Sequence, residues 1–137
     1  MPRREQFPFV EQVSPTGARC VLPFVPIGLE LGGAKTSALA LLDTGAAINV
    51  LPYDVGLLLN AKWEQQTITL TLTGALENEE ARALVVTGTI DSFSPIRLAF
   101  AWMRSNSVPV ILGQMNFFLE FDVCFYRSRA VFELQPK

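Results

Sequence analysis

Leu39-Ala40-Leu41-Leu42-Asp43-Thr44-Gly45-Ala46-Ala47-Ile48-Asn49-Val50-Leu51 is the stretch on which the reading of this chain turns. Two short apolar runs flank a turn. Runs of this length, bounded by turn residues, read as buried strands. Asp is depleted in strands and is rarely buried without a partner. Packing therefore gives a poor account of a carboxylate set at the mouth of the turn between them.

Outward from this stretch the pattern is mostly strand. Upstream, Ile27 to Leu31 and Thr36 to Leu42 flank Gly32-Gly33, a hairpin signal because glycine permits the positive φ of tight primed turns. Before them lie a loose arm over residues 1–11, a turn at Ser14-Pro15-Thr16-Gly17, and a strand from Arg19 to Phe24. Pro23 and Pro26 mark an edge or an irregular exit. Downstream, Pro52 to Leu59 reads as a short helix, with proline tolerated in the first turn. Thr67 to Thr73 alternates strictly, which places Ile68, Leu70 and Leu72 toward a core. Gly74 to Glu80 is a polar loop, and Ala83 to Thr89 returns from it as a strand. Ile96 to Met103 is another strand, followed by a polar break at Arg104 to Ser107. Val108 to Leu112 leads into Gly113, and Gln114 to Phe121 reads as a short C-terminal helix. Val123 to Tyr126 and Ala130 to Leu134 form a last hairpin around Arg127-Ser128-Arg129. Many short strands separated by turns indicate an all-β barrel or sandwich. A chain of 137 residues without repeats or a linker fits one domain over residues 1–137.

Composition narrows the chemistry. Half of the chain is hydrophobic and its net charge is −2, with no basic run, so nucleic acid is not an expected partner. There is no histidine. Ser-His-Asp and Cys-His nucleophile pairs need an imidazole base, and a zinc site of the HExxH kind needs two. With only Cys20 and Cys124 as soft ligands, no metal or other cofactor is expected. A hydrolase built from this sequence relies on carboxylates. The two cysteines lie among apolar neighbours and read as buried free thiols. The first ten residues lack the apolar core of a signal peptide. No run reaches the ~18 apolar residues of a membrane span. The expectation is a soluble, cytoplasmic protein without membrane partners.

Asp43-Thr44-Gly45-Ala46 is similar to the active-site signature of aspartic proteases. In this setting the chain resembles the retropepsin family, whose members are single-domain aspartic proteases. An Asp-x-Gly turn by itself also fits an ordinary loop. The resemblance extends through Ile48-Asn49-Val50-Leu51-Pro52. It recurs in Val110-Ile111-Leu112-Gly113, where the family has an element threading behind the catalytic loop before a short helix. It spans roughly residues 27–134. It implies a closed pepsin-type β-barrel with one short C-terminal helix and an endopeptidase acting on peptide or protein substrates. Asp43 would hold and polarise the attacking water. Thr44 would supply a hydroxyl buried between the two loops of the dyad to brace them, Gly45 would allow close backbone approach to the dyad and the substrate, and Ala46 would be small for the same reason. Ile111, Leu112 and Gly113 would support the loop from behind. Two facing carboxyls must share a proton, one acting as base and the other as acid. The chain offers no second Asp-Thr-Gly, since Asp54, Asp91 and Asp122 lack that context. The implied enzyme is a homodimer with Asp43 from each copy at the twofold axis.

Two positions depart from the viral pattern together. Many viral members carry an acid after the motif's Ala and an arginine after the late Gly, and here these are Ala47 and Gln114. Losing both removes an ion pair without stranding a charge. The family's flap corresponds to the hairpin Thr67 to Thr89, with candidates Thr73, Gly74, Ala75 and Leu76 at its tip. A solvated hairpin loop is the alternative reading of that segment. Phe117, Phe118, Phe121, Phe125 and Phe132 are expected in the core or a dimer interface, Trp63 and Trp102 against the barrel, and Arg127 and Arg129 on an exposed turn. The competing class is a non-catalytic module of the same fold that dimerises or binds peptide. An unrelated barrel with a chance Asp-Thr-Gly turn is the third reading.

Overall fold

The structure is a computed structural model describing residues 3–137. The strands are β1 (Glu5–Pro8), β2 (Val10–Val13), β3 (Arg19–Leu22), β4 (Phe24–Leu31), β5 (Ala34–Leu42), β6 (Asn49–Leu51), β7 (Thr69–Leu70), β8 (Ala81–Thr89), β9 (Ile96–Met103), β10 (Val110–Leu112), β11 (Phe121–Tyr126) and β12 (Val131–Pro136). Two short helices, α1 (Tyr53–Leu58) and α2 (Phe117–Glu120), complete the elements used below. Strands β4-β5-β10-β6-β9-β8 pair in that order, and β8 pairs back onto β4. The result is the closed, mixed, six-stranded barrel with few helices that the sequence implied. β7 hangs from the outer edge of β8.

The Gly32-Gly33 turn joins β4 to β5 at the expected place, with both glycines at positive φ. β10 lies between β5 and β6, parallel to the first and antiparallel to the second. β6 and β10 are buried along their whole length, which explains why their sequences are continuously apolar instead of alternating. Their side chains still alternate in direction. Leu51, Val110 and Leu112 join the main core inside the barrel with Phe100, Trp102 and Phe117. Val50 and Ile111 face a second cluster with Leu72, Ala81, Ala101 and Met103.

Several expectations are corrected. The arm over residues 1–11 is not loose from Glu5 onward, and its first two residues lie outside the described ones. β1 pairs with β12, and Phe7 stacks on Phe132 at 5.4 Å between ring centres. Burial of that aromatic pair orders the segment. The strand expected from Thr67 to Thr73 shrinks to Thr69–Leu70. Ile68 is 62% exposed, whereas Leu72 is 5% exposed. Among the described strands β7 pairs with β8 alone, and while Leu70 packs on the second cluster, nothing covers Ile68, which precedes the strand. The helix expected over residues 114–121 is confined to Phe117–Glu120, because Gln114 and Met115 bond to the Asp43 loop instead. Cys20 and Cys124 are free but exposed, not buried. Cys20 sits on the separate two-stranded β2–β3 hairpin, and Cys124 on the outward face of β11. Phe117, Phe121 and Phe132 are core residues, Phe118 packs against them, and Phe125 is 39% exposed. Trp63 and Trp102 pack against each other with Tyr53. Arg127 and Arg129 lie on the exposed turn between β11 and β12.

Candidate active site

The site follows from the strand order. β5 ends at Leu42 and β6 starts at Asn49, with β10 wedged between them. The connecting loop, residues 43–48, must cross the end of β10. Backbone bonds fasten it there. Asp43 N–H donates to the Leu112 carbonyl at 3.0 Å, Gln114 N–H to Ala46 at 2.9 Å, and Met115 N–H to Ala47 at 2.9 Å. Gly113 lies directly beneath the crossing. A Cβ there would stand 2.6 Å from the Ile48 carbonyl oxygen and 2.7 Å from that of Ala46. This close approach admits only glycine.

Inside the loop, Gly45 N–H donates to Asp43 Oδ1 at 3.0 Å. This Asx-type bond fixes the carboxylate relative to its own turn and leaves Oδ2 without a partner among the described residues. Asp43 is half-buried and opens into a cleft of about 290 Å³. Gly45 and Ala46 line the cleft on the loop side, Ile111 lines it on the β10 side, and Thr73, Ala75 and Leu76 close the other side. The remaining walls include Val50, Thr71 and Leu72, so the cleft is apolar apart from one carboxylate and threonine hydroxyls. Asp43 is the only acid among its lining residues.

The residues singled out in the sequence are thus brought partly together. Asp43, Gly45 and Ala46 share one cleft with Thr73, Ala75, Leu76 and Ile111. Thr44 does not. It is exposed on the far side of the loop, at a second concavity with Phe9, Leu22 and Phe125. Gly74 lies outside the lining, in a short 3-10 turn at positive φ. Leu112 and Gly113 sit under the loop and not in the cleft. Among the described residues no three His, Cys, Asp or Glu side chains gather as a metal-binding group. Remote from the cleft, the Glu133 carboxylate, 3.3 Å from the Tyr126 hydroxyl, raises the pKa of that phenol.

Two residues of this region have roles that the sequence reading did not give, although Gln114 was noted there as a departure from the viral pattern. Gln114 Nε2 donates to the Thr44 carbonyl at 2.9 Å, so a side chain replaces part of the fastening that a charged residue would give. Asn49 is the buried polar residue of the core, at 0% exposure. A signal was present: an amide inside the apolar run Ile48-Asn49-Val50-Leu51 must find partners when buried.

No protein-family model and no curated protein matches the chain. A solved structure does. The crystal structure of a retropepsin-like aspartic protease from Rickettsia conorii superposes with a TM-score of 0.62. The match covers 99% of this chain and 96% of that one, at 14% sequence identity. The fold is therefore the retropepsin-like barrel. Among the described residues no helix is long and apolar enough to cross a membrane.

Proposed function

We propose that this chain is an aspartic endopeptidase that works as a homodimer. The observation that carries the proposal is Asp43. It is the lone acid in an apolar cleft, on the loop that crosses β10 of a retropepsin-like barrel. Such a cleft suits an extended peptide, and its single carboxylate supplies half of an acid–base pair. The second half comes from Asp43 of another copy across a twofold axis. One carboxylate of the pair takes a proton from the attacking water, and the proton held by the other passes to the carbonyl oxygen. Thr44, Gly45 and Ala46 shape the loop, Ile111, Leu112 and Gly113 brace it, and Thr73 to Leu76 cover the peptide. No cofactor enters this reaction, and a soluble, cytoplasmic setting belongs to the same proposal.

The test is cleavage of a mixed peptide library by wild type and Asp43→Asn, with and without a statine-type inhibitor, a chelator and a thiol blocker. The variant should lose about 10²–10⁴-fold in rate and keep its fold. Activity should be strongest in acid, where the pair shares one proton, and indifferent to chelator and thiol blocker. Ultracentrifugation at micromolar concentration should show a dimer. Cleavage at wild-type rate by Asp43→Asn, or by a strict monomer, would overturn the proposal.

One observation favours a second reading, a peptide-binding module with little turnover. The cover over the cleft is short and tethered. Leu76 packs into the second cluster, Ser107 Oγ donates to Glu79 at 3.3 Å, and Arg104 N–H donates to the Glu80 carbonyl at 3.0 Å. Peptide binding without cleavage at any pH would select this reading.

A further inference from the structure

We propose that Asn49, with Asn116 as its partner, is the positioning residue that sets the height of the Asp43 loop over β10. This rests on the reading of Asp43 as the reactive carboxylate. Asn49 is completely buried, and its amide is saturated in a directed way. Oδ1 accepts the Gly113 N–H at 2.8 Å. Nδ2 donates to the Ala99 carbonyl on β9 and to Asn116 Oδ1, each at 3.0 Å. Asn116 extends the relay. Its Oδ1 also accepts the Ala99 N–H at 3.1 Å, and its Nδ2 donates to the Arg97 carbonyl at 2.8 Å. The backbone N–H of Asn49 closes the ring onto the Met115 carbonyl at 3.0 Å.

All of these bonds but the one from Asn49 Nδ2 to Ala99 hold residues 113–116, and those residues hold the loop. Leu112 accepts from Asp43 N–H, and Gln114 bonds Ala46 through its backbone and Thr44 through its side chain. With Gly113 already in contact with the loop carbonyls, a shift of Gly113 passes directly to residues 43–46. An apolar side chain would fill the space at position 49 but would leave the Gly113 N–H and the Ala99 carbonyl unpaired. The sequence thus holds a buried polar network where a barrel core alone would favour an apolar residue. The groups that Asn49 meets are all uncharged. β6 and β10 carry no charged residue, and β9 carries only Arg97, whose side chain is exposed.

The experiment compares Asn49→Leu, Asn49→Asp, Asn116→Ala and a core control, Leu84→Ala, which truncates a buried side chain outside the site. Three quantities are read: melting temperature, kcat and KM on a peptide that the wild type cleaves, and the carbon-13 carboxyl signal of Asp43. Asn49→Leu should lose about 100-fold in kcat with KM little changed, and should move the Asp43 signal. Leu84→Ala should lower the melting temperature without either effect. Asn49→Asp should approach wild type in acid, where the new carboxyl is neutral and isosteric. It should lose kcat and displace the Asp43 signal as pH rises and a buried charge forms. Asn116→Ala should act in the same direction more weakly, and it decides the matter if Asn49→Leu does not fold. The idea is overturned if the Asn variants lose stability while kcat and the Asp43 signal stay at wild type, or if Leu84→Ala gives the same kcat loss. Should the wild type cleave nothing, the peptidase reading fails by itself. The Asp43 signal then still decides, since it moves in the Asn49 variants and not in Leu84→Ala if the clamp sets the loop.

Discussion

The two walls of the cleft are built by opposite means. On one side, residues 43–49 are fastened to residues 112–116 by backbone bonds and by the Asn49 and Gln114 amides, with no room even for a methyl group at Gly113. On the other side, residues 67–80 run as a two-residue strand, a 3-10 turn and exposed threonines, held to the barrel by Leu72, Leu76 and a few bonds. Local stability follows buried contacts and protected hydrogen bonds. The first wall should open only with the whole barrel, and the second should open by itself. The proposed function, which fixes one carboxylate and admits a polypeptide, has use for both.

The sharpest way to break this contrast is Gly113→Ala. The new Cβ would meet two backbone carbonyls that cannot swing aside. Overpacking of this kind costs about 1–3 kcal/mol or more, and it displaces the Asp43 loop as well. The melting temperature should fall by several degrees and peptide cleavage should be lost. A variant of wild-type stability and activity would mean that the loop is not clamped. Next comes Leu72→Ala, which empties a buried position of the second cluster. Loss of a buried leucine costs about 2–5 kcal/mol, and the position of Leu72 just beyond β7, a strand paired with β8 alone, favours the low end. Denaturant unfolding measures it. Hydrogen exchange should then show residues 69–80 exchanging faster while residues 43–49 and 112–116 keep their protection. Equal acceleration in both walls would erase the distinction.

A smaller effect is expected from Leu76→Ala. Leu76 is half-buried and lines the cleft, so its truncation should cost about 1 kcal/mol of stability. If the chain is the proposed peptidase, the truncation should raise KM more than it lowers kcat, because Leu76 lines the cleft on the side away from the Asp43 loop. A pure kcat effect would place Leu76 in the chemistry.

The fastened wall was legible in the sequence because it is made of hard constraints. Apolar runs on both sides of Asp43 read as strands, and they are the end of β5, where Leu39 is still 42% exposed, and the buried β6. Gly113 was expected behind the loop from the resemblance alone, and its close approach to the Ile48 and Ala46 carbonyls is visible only in the structure. The number and shortness of the strands left a barrel or a sandwich open, and the resemblance carried by Asp43 to Ala46 and Val110 to Gly113 decided for the closed barrel. The open wall was misread because a period-2 pattern reports what a strand could bury, not what lies opposite. Thr67 to Thr73 alternates well, yet β7 meets no second layer at Ile68. The order of β1 and the exposure of both cysteines were hidden for the same reason, since each depends on a distant partner strand or its absence. The Asn49 relay was hidden differently. One amide in an apolar run gives notice that partners exist without naming Gly113, Ala99 and Asn116.

The smallest expected effect isolates that error. Ile68→Thr should change stability by less than about 0.5 kcal/mol, the range of surface substitutions away from special features. If Ile68 were a core residue, as its alternation with Leu70 and Leu72 suggests, the same change would remove buried methyl groups and bury a hydroxyl, costing about 2 kcal/mol or more. Its 62% exposure and the retained β-branching of threonine argue for the small value. Its backbone remains engaged, because the Ile68 carbonyl accepts the Ala83 N–H at 2.9 Å, and threonine keeps that bond. Urea unfolding of Ile68→Thr beside Leu72→Ala, four residues apart in one segment, gives the comparison directly. A large loss for Ile68→Thr in the isolated chain would return this segment to the core. A loss that appears only at protein concentrations where a dimer forms would show that a second copy covers Ile68, and the open wall would then be an interface as well as a cover.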